Sequence, residues 1–221
     1  MIKGFILDVD GVLLDSMGEW KNLGAYYIES LGKIPGENLS EKIAKLTIKE
    51  SAEYLKDSYN IPGSTDQIID GFMKIIADFY QNKVQLKYGA VEFLDFIKNN
   101  GMLSVAATTS DKALIKRAFA RLDIAEYFKD IVTDADAGAG KQSPEIYKLA
   151  GKKIGTAPPE TLVVEDSLFA LQTAKDAGFL TAAVYDECSE RFQSQLKELS
   201  GYYAENLAIL KDKLSLLLKR M

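Results

Sequence analysis

Four short apolar runs in this 221-residue chain end alike, on residues that carry chemistry. Phe5-Ile6-Leu7 leads into Asp8-Val9-Asp10-Gly11, and Leu103-Ser104-Val105-Ala106-Ala107 into Thr108. Ile131-Val132 leads into Thr133-Asp134, and Leu162-Val163-Val164 into Glu165-Asp166. Runs this short, apolar throughout and closed by polar residues, read as parallel strands covered on both faces. Helical spacing recurs between them: Val91, Leu94 and Ile97 before Asn99-Asn100-Gly101, then Leu114, Ile115, Ala118, Phe119 and Leu122 behind Asp111 as a cap. Ser143-Pro144-Glu145 reads as an N-cap followed by Pro at the first helical position, and Ser167 as the cap of a helix that stops at Gly178. Tyr202-Tyr203 and the spacing of Leu207, Leu210, Leu214 and Leu217 predict a last strand and helix. Alternating strands and helices imply a parallel sheet, and ligands of such sheets bind beyond the carboxyl ends of the strands. All four polar endings would gather there.

From Ser16 to Lys83 the alternation stops. Trp20, Leu23, Tyr27 and Leu31, and later Ile68, Phe72, Ile75 and Phe79, keep helical spacing with no clear strand between them. Gly36, Pro62 and Gly63 divide the segment into three or four helices, with Ser64-Thr65-Asp66 starting the last. The expected architecture is α/β: a Rossmann-like three-layer core from residues 1–15 and 84–221, with residues 16–83 inserted as an α-helical cap domain.

Composition narrows the chemistry. The chain has no histidine, which removes the usual general base and the commonest zinc ligand. Acid-base work must then come from carboxylates, Lys, Tyr or Cys. Cys188 is the only cysteine, so neither an internal disulfide nor a thiolate metal cluster can form. The net charge of −5 without a basic block speaks against a nucleic-acid or membrane-surface binder. No run approaches the roughly 20 apolar residues of a membrane span, and a soluble cytoplasmic protein with no obligate protein partner is expected.

Asp8 and Asp10 place two carboxylates at the end of the first strand, beside a glycine that permits an unusual turn. A D-x-D alone is more often a solvated acidic turn. Placed at a strand end, Asp8 can attack phosphorus to form an acyl phosphate, and Asp10 can protonate the leaving oxygen and later deprotonate water. Glu165 and Asp166 would repel Asp8 unless a cation neutralised them, and oxygen-only ligands around a phosphate substrate point to Mg2+. Asp166 can serve equally as an acidic cap of the following helix, and Glu165 as a residue behind the ligands. Thr108, with Thr109 and Ser110 after it, offers a hydroxyl and backbone N–H groups to phosphate. Lys141, in Gly138-Ala139-Gly140-Lys141, can neutralise Asp8 and the transferring group, although most lysines are simply solvated. The order of these residues counts for more than any single one: nucleophile and acid, hydroxyl, lysine, acid pair, all at one sheet edge, make a complete phosphoryl-transfer site.

With those motifs in place the chain resembles the haloacid dehalogenase-like superfamily. Its four motifs are matched by Asp8-Val9-Asp10-Gly11-Val12-Leu13-Leu14-Asp15-Ser16, Thr108, Lys141 and Val163-Val164-Glu165-Asp166-Ser167. Helices directly after Asp15-Ser16 resemble the subfamily of beta-phosphoglucomutase and many small phosphatases, and the cap is expected to decide substrate choice, since the core offers only phosphate and metal contacts. The resemblance implies that Asp8 is phosphorylated and that Asp10 is the acid/base and also offers its backbone carbonyl to Mg2+. It further implies that Asp166 completes the protein ligands and that Thr108 and Lys141 hold the phosphate. Beta-phosphoglucomutases carry a histidine in the first cap helix, where this chain has Met17-Gly18-Glu19-Trp20; the family's frequent Pro after the third-motif lysine is here Gln142.

The expected function is therefore Mg2+-dependent hydrolysis of a small phosphorylated metabolite, a sugar phosphate or nucleotide. A phosphomutase would share the core, and the absent histidine argues against it. A phosphoryl-accepting receiver-like module also combines Asp, an acid pair, a hydroxyl and Lys, but needs neither Asp10 nor an inserted cap.

Overall fold

The computed structural model describes residues 2–218. Strand β1 (Gly4–Asp8) is followed by helices α1 (Met17–Ser30), α2 (Leu39–Ile43), α3 (Ile48–Tyr59) and α4 (Thr65–Asp78), the last continued by a π-helical turn over Phe79–Lys83. Then come α5 (Ala90–Asn99), β2 (Leu103–Thr108), α6 (Lys112–Arg121), β3 (Phe128–Thr133), α7 (Asp134–Ala137) and α8 (Glu145–Ile154). The chain goes on through β4 (Thr161–Glu165), α9 (Leu168–Asp176), β5 (Leu180–Val184), α10 (Gln193–Leu199), β6 (Tyr202–Ala204) and α11 (Leu207–Leu218).

Contacts divide the chain into two compact units: residues up to Asp15 together with those from Gln85 onward, and Ser16–Val84. In the first, six strands form one sheet in the order β3-β2-β1-β4-β5-β6, and every pairing is parallel. The chain builds outward from β1 to β2 and β3, then restarts on the other side with β4. That reversal leaves a crevice beyond the carboxyl ends of β1 and β4. Strand alternation sends successive side chains to opposite faces. Ile6, in register with Val105 and Val163, packs with Ile146, Tyr147 and Ala150 of α8 on one face. Phe5 meets Phe93 of α5 edge-on, with ring centroids 5.7 Å apart, on the other. Helices thus cover both faces, as the fully apolar strands require.

Several local readings shift. The run Leu180-Thr181-Ala182-Ala183-Val184 is a strand that the sequence does not announce, because its alanines carry little strand preference. Val91 is exposed, and the buried stripe of α5 is Ala90, Phe93, Leu94 and Ile97. Pro144 occupies the cap position of α8, with Glu145 as its first helical residue. Ser167 is at the N-cap of α9 without a side-chain capping bond, while Asp111 caps α6 by accepting from the N–H groups of Ala113 and Leu114.

In the helical unit, Thr47 with Glu50 and Ser64 with Gln67 form capping boxes that start α3 and α4. The core stripe of α4 slips by one residue from the expected one: Ile68, Phe72, Ile76 and Tyr80 are buried, whereas Ile75 and Phe79 are only half-buried. Tyr27 of α1 packs edge-on against Phe72 at 5.1 Å, and the Trp20 indole N–H donates to the Tyr80 hydroxyl at 3.0 Å. Leu31, the outer member of the α1 stripe, is exposed.

Candidate active site

Apart from Lys141, which lies in the turn between α7 and α8, each candidate residue sits at or just past the end of a strand. Asp8 is the last residue of β1, one position beyond the paired residues Leu7 and Val164, so Glu165 at the end of β4 stands next to it. Past Asp8 the chain turns sharply. Gly11 adopts φ +87, a conformation a side chain would strain, and the N–H groups of Leu13 and Leu14 return to the carbonyl of Val9.

Four buried charged groups meet in this crevice: Asp8, Lys141, Glu165 and Asp166. The Lys141 ammonium forms an ion pair with Asp8 and reaches Glu165 Oε1 at 2.7 Å. Glu165, fully buried, also accepts from the Tyr147 hydroxyl at 2.9 Å through the same Oε1. Carboxylate oxygens of Asp8, Glu165 and Asp166 lie within 4.8 Å of one another. Asp10 is half-buried; its Oδ2 accepts from the Ser110 hydroxyl at 2.7 Å, with the Thr108 hydroxyl at 3.5 Å. Thr108 is buried and accepts from the Ser110 N–H, whereas Thr109 is exposed. The structure therefore brings Asp8, Asp10, Thr108, Lys141, Glu165 and Asp166 together, and in the loop after β2 it is Ser110, not Thr109, that turns onto Asp10.

The electrostatics follow from burial. Burial, then the charge of Glu165, pushes the Asp8 carboxyl well above the usual range, with Lys141 acting in opposition. Burial and the Asp8 charge push Asp166 up to about 7. Burial works against the Lys141 cation, yet Asp8 and Glu165 outweigh it and hold the ammonium above its ordinary value. Burial, then the Glu165 charge, raises the Tyr147 phenol as well, so it remains a protonated donor.

When ionised, the three buried carboxylates facing one ammonium carry an excess of two negative charges, which a divalent cation offsets. The donor set fits such an ion: oxygen ligands only, and Glu165 Oε2 buried without a hydrogen-bond partner among the described residues.

Four residues of this site escaped the sequence. Tyr147 falls on the apolar stripe of α8 and reads as core. Asp186 accepts from Lys87 at 2.7 Å in a largely buried pair, and the Ser189 hydroxyl comes within 3.5 Å of Asp166 Oδ2. Lys87 and Asp186 lie 99 positions apart, and no local pattern links them.

The chain is similar to known proteins in sequence and in fold. A family model described as haloacid dehalogenase-like hydrolase matches residues 5–184. A phosphorylated carbohydrates phosphatase of Thermotoga maritima is 28% identical over 182 residues, covering 80% of this chain and 82% of that protein. Hexitol phosphatase A of Escherichia coli is 27% identical over 187 residues, 82% of each chain. Among solved structures, a Thermotoga maritima protein provisionally described as a beta-phosphoglucomutase superposes with a TM-score of 0.84 at 23% identity, over 97% of this chain and 99% of that one. At that identity the likeness speaks for the fold. With the family model spanning most of the chain and the acid pairs at the ends of β1 and β4, this protein belongs to the haloacid dehalogenase-like hydrolases.

Proposed function

We propose that this protein, a phosphoric monoester hydrolase of its family, acts on small phosphorylated carbohydrates through a phosphoaspartate at Asp8, with Mg2+ as its cation. Carbohydrate phosphates are favoured over nucleotides because similar phosphatases are named for phosphorylated carbohydrates and for hexitols, although one similar protein is named as an FMN phosphatase. The observation that carries the reading is the contrast between two acids two residues apart. Asp8 is ion-paired with Lys141, whose charge favours the ionised form a nucleophile needs and opposes the effect of burial and of Glu165. Asp10 is half-buried and held by the Ser110 hydroxyl, open to a leaving group or to water.

In the first step a carboxylate oxygen of Asp8 bonds to phosphorus and the ester oxygen departs, taking a proton from Asp10. In the second, Asp10 takes a proton from water as that water attacks the phosphoaspartate, releasing inorganic phosphate and restoring Asp8. Lys141 balances the charge of the transferring group, and Thr108 holds a phosphoryl oxygen. Asp8, Asp166 and Glu165, with the Asp10 carbonyl, would hold Mg2+, which when bound neutralises phosphoryl oxygens and this acid cluster. By the same reading the sheet-based unit carries the chemistry, and the helical unit selects the substrate.

The test is phosphate release by purified protein from a panel of sugar phosphates, polyol phosphates and nucleotides, with Mg2+ and with chelator. Chelator-sensitive release concentrated in the carbohydrates supports the proposal. Absence of release from every compound, while Asp8 still accepts a phosphoryl group from a donor, would favour a phosphomutase, whose fold this chain shares.

A further inference from the structure

Glu165 is held asymmetrically. Both donors that reach it, the Lys141 ammonium at 2.7 Å and the Tyr147 hydroxyl at 2.9 Å, arrive on Oε1. Its other oxygen, Oε2, is equally buried and has no hydrogen-bond partner among the described residues. A bare carboxylate oxygen in a buried site is costly unless something positive meets it. Left to itself the terminal torsion of a glutamate is broad and nearly two-fold, so the carboxylate plane would wander. Two donors on one oxygen fix that plane and leave the other oxygen to a ligand.

Lys141 does not do this alone, because its ammonium is shared with Asp8. Tyr147 is anchored independently: its ring is fully buried in the face of α8 that packs on the sheet, close to Phe179 at 6.2 Å between centroids. Phenylalanine would fill that volume equally well. A phenol is needed only if its hydroxyl has work to do, either satisfying itself on Glu165 or orienting Glu165.

We infer that Tyr147 is a positioning residue for the cation site, its hydroxyl locking Glu165 Oε1 so that Oε2 is presented to the divalent ion together with Asp8 and Asp166. The inference rests on the cation reading of the site given above. Tyr147 touches neither substrate nor metal; it acts through Glu165. Residues of this kind behind metal ligands commonly change affinity by roughly 10–100-fold when removed.

The test is direct binding of Mn2+, which suits the same carboxylate ligands, counted as free ion by electron paramagnetic resonance. It compares the whole protein with its Tyr147→Phe variant, each also in a Glu165→Gln background. Tyr147→Phe keeps the ring and its packing and is expected to weaken Mn2+ binding by about 10-fold or more. With Glu165 replaced by Gln, the same change is expected to have no further effect, since its route to the metal is gone. Unchanged Mn2+ affinity in Tyr147→Phe overturns the inference. So does an equal loss in both backgrounds, which would make Tyr147 a packing residue only. Failure of the parent protein itself to bind Mn2+ would instead bring down the cation reading and this inference with it.

Discussion

Stability of the cation-free protein should fall as pH rises from 5 to 8, and Mg2+ should abolish that fall. Asp166 is almost wholly buried, and burial with the Asp8 charge lifts it to about 7 from an ordinary 3.8. Between those values the folded chain keeps a proton that the unfolded chain has lost. The group therefore contributes stability that is complete below 3.8 and disappears as pH climbs through 7. A shift of about three units corresponds to about 4 kcal/mol in full, of which about 2–3 kcal/mol is lost between pH 5 and 8. In a chain of this size that is roughly 5–10 °C in melting temperature. Asp8, raised in the same direction, adds to the effect. The window is unusually clean, because the chain has no histidine to titrate inside it. Carboxyls held low, such as Asp136 at about 2, act only in acid below this window. When Mg2+ binds, it replaces the proton and the slope should flatten. Thermal or urea unfolding in chelator and in Mg2+, at half-unit pH steps, measures both curves. If stability in chelator rises across this range, or the two curves run parallel, the buried acid cluster is not what sets it.

Other substitutions probe the same site and its support. Asp8→Asn removes the nucleophile and should lower phosphate release by about 10^4-fold or more, while Asp10→Asn, which removes only proton transfer, should cost about 10^2–10^4-fold; stopped-time phosphate assays separate them. Lys141→Met leaves Asp8 and Glu165 without their shared ammonium and should destabilise the chelated protein by about 3–5 kcal/mol, a loss that urea titration would show shrinking as pH is lowered and Asp8, already raised by burial, protonates. Gly89→Ala should destabilise by at least about 2 kcal/mol without changing the pH dependence, because Gly89 holds φ +83 and a Cβ there would come 2.2 Å from the Ala208 backbone N.

How much of this could be read from the chain itself varies element by element. β1 and β4 were legible because a parallel strand buried on both faces is apolar at every position, and its chemistry comes where that run ends. β5 was not, since Ala182 and Ala183 gain their strand character only from the neighbours they pair with. Asp8, Asp10, Lys141 and the Glu165-Asp166 pair could be named from spacing and residue type. Which hydroxyl reaches Asp10 could not: Thr109 and Ser110 are adjacent and chemically alike, and only the turn after β2 decides between them. The one-residue slip of the α4 stripe, to Ile76 and Tyr80, has the same origin, for the adjacent apolar pairs Ile75-Ile76 and Phe79-Tyr80 offer two overlapping faces and their partners choose one.

The sequence by itself determined the strands other than β5 and the set of carboxylates at the strand ends, because these are local consequences of side-chain polarity and period. Tertiary structure alone decided what those carboxylates meet. Tyr147 on Glu165 and Lys87 on Asp186 are contacts across 18 and 99 positions of chain; neither leaves a local trace, since only the fold brings a carboxylate oxygen to these donors.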